Sequence, residues 1–497
     1  MRTYEQGVHR PQYHFTPPEK WMNDPNGLVY YNGEYHLFYQ HHPGSCYWGP
    51  MHWGHAVSRD LMHWEHLPIA LKPDHHGLIY SGCAVVDRHD HTGFFHGGSG
   101  LVAIFTHSSE DQATGRKRQV QSLAYSADNG RTWTMYEGNP VLEDERFEDF
   151  RDPKVFYHDP SFSWIMVLAA GDRVRLYRSP NLIDWTFASE FGAGEGWHTG
   201  IWECPDLFEL RVDGKEEETR WVLLVSLYYA SPEGTRTQYF VGRFDGYRFV
   251  NDNDPGLVLW LDHGRDNYAG VTWSNTDDPL ASRVFIGWMS NWLYAHDTPT
   301  EAEGWRGAMT LPRRLTLREG PEGIRLYQEP VDEVRRLRES VYGAGDLRIA
   351  QGDNPLAGVR GDTLEIDAVL ELGDAREFGF KVRVSEDRET NIGYDAERQV
   401  LYVDRRKSGQ VDFHKGFPCR QEAPLHPEQQ RIRLRIFIDR SSVEVFANGG
   451  QVAMTHLFFP GDQSQGLELF SAGGDVKVVS LDVYAIRSIY EGLEPAS

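Results

Sequence analysis

Through its first two thirds the chain alternates short apolar runs with polar turns. Leu28-Val29-Tyr30-Tyr31, then Asn32-Gly33, then Tyr35 to Gln40 reads as two strands joined by a hairpin, because Asn-Gly tolerates the positive φ angles of a tight turn. A second unit recurs further on: Ser58-Arg59-Asp60-Leu61-Met62-His63-Trp64, Ser126-Ala127-Asp128-Asn129-Gly130-Arg131-Thr132-Trp133, and Ser179-Pro180-Asn181-Leu182-Ile183-Asp184-Trp185. Each is a strand end, a polar turn and a tryptophan that opens the next strand, and a degenerate copy lies at Gly242 to Phe249. Copies spaced 50 to 70 residues apart fit propeller blades of four antiparallel strands. At that period a stretch of about 335 residues holds roughly five blades.

Near residues 329 to 345 the texture changes. Pro330-Val331-Asp332-Glu333-Val334-Arg335-Arg336-Leu337 reads as a short charged helical connector, and strict apolar–polar alternation follows it. Thr363 to Leu372, Phe378 to Val384, Val400 to Asp404, Ile432 to Asp439, Val443 to Phe446 and Val476 to Tyr484 alternate, with turns at Asn448-Gly449-Gly450 and Gly473-Gly474. The expected fold is all-β: a five-bladed β-propeller over residues 1–335, then a short linker and a β-sandwich over 336–497.

The length of 497 residues favours two domains, and aromatics at 13% suit strands and surfaces that stack on ring-shaped ligands. A net charge of −23, spread along the chain, excludes nucleic acid and anionic membrane as partners. Cys46, Cys83, Cys204 and Cys419 form no spaced pair, so neither a disulfide framework nor a thiolate metal site is expected. The start Met1-Arg2-Thr3-Tyr4-Glu5-Gln6 has no apolar signal core, which as written places the chain in the cytoplasm; a leader already removed would mean secretion. No glycine-rich phosphate loop follows a strand, and no cofactor is expected.

Three acids occupy equivalent places. Asp24 lies in WMNDPNG, Asp152 in Arg151-Asp152-Pro153-Lys154, and Glu203 in Trp202-Glu203-Cys204-Pro205-Asp206, each ahead of a proline and an apolar run. Because proline is tolerated at the first residue of a strand, each acid is expected where an inner strand begins, so that the three converge on the propeller axis. Two carboxyl groups across a pocket are the equipment for cleaving a glycosidic bond. Asp24, beside Asn23, suits the ionised nucleophile; Glu203, between Trp202 and Cys204, suits an acid with a raised pKa; Arg151 should keep Asp152 ionised, to support a cationic transition state.

WMNDPNG, RDP and the Glu-Cys pair, in that order, resemble the glycoside hydrolases of family 32, and the resemblance covers nearly the whole chain. It implies cleavage of β-fructosidic bonds with retention through a covalent fructosyl-enzyme, with Asp24 as nucleophile, Glu203 as general acid and base, and Asp152 as transition-state stabiliser. It further implies that Asn23, Gln40, Trp48, Ser81 and Arg151 line the fructosyl pocket. The segment Gly287 to Trp292 is similar to exo-acting members and makes Trp288 a stacking wall; YSGCA departs from the usual pattern at Cys83 and Tyr80. The expected partner is a small sugar or fructan: sucrose, fructo-oligosaccharides, inulin or levan. Residues 228 to 240 and 294 to 304 shape its entrance. A fructosyltransferase and a non-catalytic sugar-binding propeller are the alternatives. His41, His42, His75, His76, His89, His91 and His96 lack metal-site spacing and are expected on loops around the pocket mouth. The sandwich is expected to prop the last blade.

Overall fold

The computed structural model describes residues 7–110, 114–232 and 234–490. Residue 233 of the expected entrance segment and both chain ends, including the N-terminal stretch read for a signal core, lie outside the described residues.

Five antiparallel sheets surround one axis. Their innermost strands are β1 (Lys20–Tyr31), β2 (Leu78–Asp87), β3 (Phe150–His158), β4 (Ile201–Arg211) and β5 (Tyr268–Thr272). These five pack side by side as a ring, β5 returning to β1. The closure is stitched by Trp305–Arg306, which pairs in parallel with the start of β1, and by a bridge from Val29 to Ser274.

The recurring Ser-to-Trp units are the turns between the third and fourth strands of the blades. In each of the three copies a side-chain oxygen takes two turn N–H groups or one: Asp60 Oδ1 accepts from Met62 and His63, Asp128 Oδ1 from Thr132, Asn181 Oδ1 from Ile183 and Asp184. The following indole then donates back across the turn, Trp64 to Leu61 O, Trp133 to Gly130 O and Trp185 to Leu182 O. Asp245 repeats the acceptor half in the degenerate copy, with Phe249 in place of the indole. The repeat is thus a self-contained local hydrogen-bond motif, which is why it is legible in sequence.

One expectation fails in an informative way. Pro25, Pro153 and Pro205 do not start strands; they lie inside β1, β3 and β4, where pairing slips by one residue. Asn23-Asp24 together face Gln40, Asp152-Pro153 face Leu168, and Cys204-Pro205 face Val225. β2 and β5 carry the same slip, Tyr80-Ser81 against Thr106 and Ala269-Gly270 against Gly287. A bulge needs no ladder N–H from its extra residue, so proline fits there as well as at a strand start.

The last propeller strand ends at Pro330, and a 3-10 helix, Asp332–Leu337, leads into the sandwich. One sandwich sheet runs in space Arg338–Ile349, Val476–Ile486, Leu364–Glu371, Arg431–Asp439, Ser442–Ala447, Val452–Leu457; the other has five strands between Arg420–Pro424 and Gly466–Ala472. Ile366, Phe380, Ile392, Leu434, Val445 and Leu469 fill the space between them.

The N-terminal segment is wedged between propeller and sandwich. His14 Nδ1 lies 2.8 Å from Asp439 and its Nε2 2.8 Å from Glu444, both of them sandwich carboxylates, and all three side chains are fully buried. Burial opposes a charge on this ring, but the two carboxylates outweigh it and push its pKa up to about 9. A raised folded pKa means the stabilisation is complete below the unfolded value of 6.5 and is lost as pH rises through about 9. The stability difference between wild type and His14→Gln should therefore shrink by on the order of 3 kcal/mol across that window, measured by denaturant melts. A difference that does not change with pH refutes a buried imidazolium.

Candidate active site

In a regular strand adjacent residues face opposite ways, so neighbours in sequence cannot share a site. The bulges lift that restriction. Asn23 and Asp24 both turn to the axis: Asn23 Nδ2 donates to Asp24 Oδ1 (2.9 Å), and its Oδ1 accepts from the Trp21 indole (2.7 Å). Ser81 Oγ, from the bulge of β2, donates to Asp24 Oδ2 (2.7 Å).

Asp152 and Cys204 occupy the bulges of β3 and β4 with φ of +63° and +46°. The left-handed turn at Cys204 aims its N–H at Asp152 Oδ2 (3.0 Å), while its thiol lies 3.5 Å from that oxygen and 3.6 Å from Asp24 Oδ2. Burial and the surrounding carboxylates push the thiol pKa well up, so it stays protonated and bridges the two aspartates as a donor.

Glu203 precedes this bulge. Arg151 Nε and Nη2 both donate to its Oε1 (3.1 and 2.8 Å), and the Tyr268 hydroxyl, from the start of β5, donates to Oε2. Arg151 Nη1 reaches Asp149 (2.5 Å) and Gln119 (3.2 Å).

Two electrostatic expectations are corrected here. Arg151 pairs with Glu203 and Asp149, and although its charge pulls on Asp152, burial dominates and the carboxylates of Glu203 and Asp24 add to it, raising Asp152 to about 7. Asp152 is therefore not held ionised. Trp202 turns away from Glu203 into the core between the third and fourth blades, so Arg151 and Tyr268 are what Glu203 feels. Asp24 is raised by burial and by Glu203, against the donors Ser81, Asn23 and Cys204.

The residue after each proline forms the floor. Asn26, Lys154 and Asp206 are all buried; Lys154 Nζ donates to Thr272 O (2.5 Å) and pairs with Asp206 (3.2 Å), which also accepts from Thr272 N and Oγ1. Gln40 donates to Asn26 at 2.7 Å, beneath the first bulge. These contacts tie the third, fourth and fifth inner strands together one layer beyond the carboxyl groups.

Trp288 is corrected as well. At 1% exposed it has no open face; it pairs across the ladder with Tyr268 and packs on Trp21 and Trp292, so it is a core residue beside Tyr268. Trp48, 39% exposed and edge-on to Tyr80, is the available aromatic wall. Of the two segments expected at the entrance, one sets Tyr228 against Trp292 and the other stacks His296 on the buried Trp21. The histidines divide: His41 is buried with its Nδ1 on Trp21 O, whereas His89, His91 and His96 lie in the turn beyond β2, at the end of that strand away from Ser81. Among the described residues no group of three or more His, Cys, Asp or Glu is arranged to hold a metal ion.

Tyr268 and Cys204 acting as donors are what the sequence reading missed. Tyr268-Ala269-Gly270 precedes an apolar run as the acids do, but without a proline to mark the bulge.

A propeller whose inner strands bring three carboxyl groups and a guanidinium together at its axis is built as a glycoside hydrolase. The chain belongs to glycosyl hydrolases family 32: the family's N-terminal domain matches residues 14–330 and its C-terminal domain residues 333–485. It is 51% identical over 494 residues to a levanase of Bacillus subtilis, covering 98% of this chain and 72% of that one. It is 38% identical over 518 residues to an extracellular exo-inulinase of Aspergillus niger, covering 97% and 95%. The crystal structure of an exo-inulinase from Aspergillus awamori superposes with a TM-score of 0.90 at 36% identity, over 98% of this chain and 100% of that one.

Infrared titration should show a protonated carboxyl band that disappears with a midpoint of about 7 and is missing in Asp152→Asn. A site whose carboxyl groups all titrate below pH ~5 contradicts the burial argument.

Proposed function

We propose that the chain is a retaining, exo-acting β-fructosidase that releases terminal non-reducing β-D-fructofuranosyl units from fructans, fructo-oligosaccharides and sucrose. The observation that carries this reading is the meeting of Asp24, Asp152 and Glu203 at one site, each with a different set of donors. The relatives named levanase and exo-inulinase support the substrate class.

Asp24 attacks the anomeric C2 as its carboxylate, which Ser81 and Asn23 favour against burial. The bond from C2 to the leaving oxygen breaks as Glu203 gives that oxygen a proton. Water then attacks C2, Glu203 takes its proton, and Asp24 departs, restoring both groups. Asp152, titrating near neutrality, can accept from or donate to fructosyl hydroxyls, and Arg151 orients Glu203. Exo-action is supported by the relatives named exo-inulinase. The extracellular relatives favour action outside the cell over the cytoplasmic expectation, which activity in culture supernatant against lysate decides.

Asp24→Asn should lower turnover of sucrose, kestose, inulin and levan by roughly 10⁴-fold or more. Glu203→Gln should cost about 10²- to 10⁴-fold, most with the poorest leaving group. Proton NMR should show β-fructose as the first product from every substrate; the α anomer rules out double displacement, and longer oligosaccharides indicate transfer.

A further inference from the structure

The stretch Asp262 to Asp266 leads into β5, yet its hydrogen bonds go to the sandwich. His263 N donates to Ala453 O (2.8 Å), Asp266 N to Thr455 O (3.0 Å), and Thr455 N to Asp262 Oδ1 (2.9 Å). It lies along Val452–Leu457, the edge strand of the six-stranded sheet, and covers that edge. Gly264 is required by the approach, since a Cβ there would stand 2.2 Å from Thr455 O.

Asp266 is fully buried, and its carboxylate is met from both sides. Arg405 Nη1 (2.5 Å) and Leu457 N (2.8 Å), both from the sandwich, donate to Oδ2; the Tyr294 hydroxyl donates to Oδ1 (2.5 Å). Arg405 is itself fixed, with Nε on Phe417 O (2.8 Å), Nη2 on the Tyr294 oxygen (2.8 Å) and its plane 3.9 Å from the Phe417 ring. Two residues beyond Asp266, Tyr268 donates to Glu203.

We propose that Arg405 is a positioning residue for the reaction: from the sandwich, through Asp266, it fixes the backbone from which Tyr268 holds Glu203 Oε2. The inference rests on the role proposed above for Glu203. Without Arg405 the Asp266 carboxylate is a buried charge short of its main partner, and the chain around it must move to reach water. Tyr268 moves with it, and the acid loses its orientation at the step where proton transfer counts.

The test is a double-mutant cycle read on kcat, with hydrogen exchange as a second measurement that needs no turnover. Tyr268→Phe should lower kcat by about tenfold or more, the size of one hydrogen bond to a charged group. Arg405→Met should lower it about tenfold and Arg405→Lys, which keeps the charge but loses the fork, about threefold, with KM within about twofold. In the Tyr268→Phe background neither Arg405 change should have further effect. Amides of residues 266–272 should exchange faster in both Arg405 variants, while those of 201–210 keep their protection. Losses that add across the cycle, or unchanged exchange in 266–272, overturn the proposal. Where Arg405→Met does not fold, Arg405→Lys carries both measurements. Normal turnover in Glu203→Gln would remove the function assigned to Glu203, whereas the exchange experiment still decides whether Arg405 holds β5.

Discussion

The site depends on one constraint: each inner strand of the propeller bulges by one extra residue near its start, against its partner strand. A regular pleat sends successive side chains to opposite faces, so a carboxylate and its neighbour could not serve one pocket. With the extra residue, Asn23 and Asp24 bond to each other, and Glu203 and Cys204 both reach the axis from adjacent positions. The arrangement puts Asp152, Cys204 and Ala269 in left-handed backbone, at about 1–2 kcal/mol each, and the five packed blades hold them there.

Convergence creates an electrostatic problem that the site solves by division. Three carboxyl groups, Asp152 buried and Asp24 and Glu203 half-buried, share Arg151 and, one layer below, Lys154. Arg151 goes to Glu203 and Asp149, and Lys154 goes to Asp206. Asp24 is left with neutral donors from Ser81, Asn23 and Cys204, and Asp152 with the N–H and thiol of Cys204. Burial then acts hardest on Asp152, which has no ion pair of its own. Similar carboxyl groups thus acquire different partners at one site.

The sandwich is bound to the propeller by charged groups that neither half could bury alone. Arg313 of the last blade meets Glu444 of the sandwich and Asp262 of the approach to β5, and the Asp262 carboxylate also accepts from Thr455. Such pairs are costly to desolvate and hold the docking geometry, because a shift would leave a buried charge without its partner. Apolar contact supports the same geometry, with Phe437 and Phe446 of the sandwich in one cluster with Val271, Trp273 and Ile286 of the last blade. Propping the last blade, the role expected for the sandwich, therefore extends to the segment that delivers Tyr268.

Local chemistry was readable in the sequence wherever a motif satisfies itself. The Ser-to-Trp turns close their own hydrogen bonds within a few residues, and they give the blade period. Strand alternation after residue 345 marks the sandwich, because each strand has one buried face. The motifs WMNDPNG, RDP and WECP pick out Asp24, Asp152 and Glu203, since Asp-Pro alone also occurs at Asp159, Asp254 and Asp278. What lay beyond the sequence was partnership across blades. Arg151 is adjacent to Asp152 in the chain but grips Glu203, 52 residues away; Trp202 adjoins Glu203 but packs into the core; Trp288 is buried in the core and offers no open face. Sequence determines which groups stand at the start of the axis, since turn and strand preferences act over a few residues. Only the tertiary structure decides which of them touch, and hence their charge, because a bulge turns neighbours and closure of the ring sets the distances between strands.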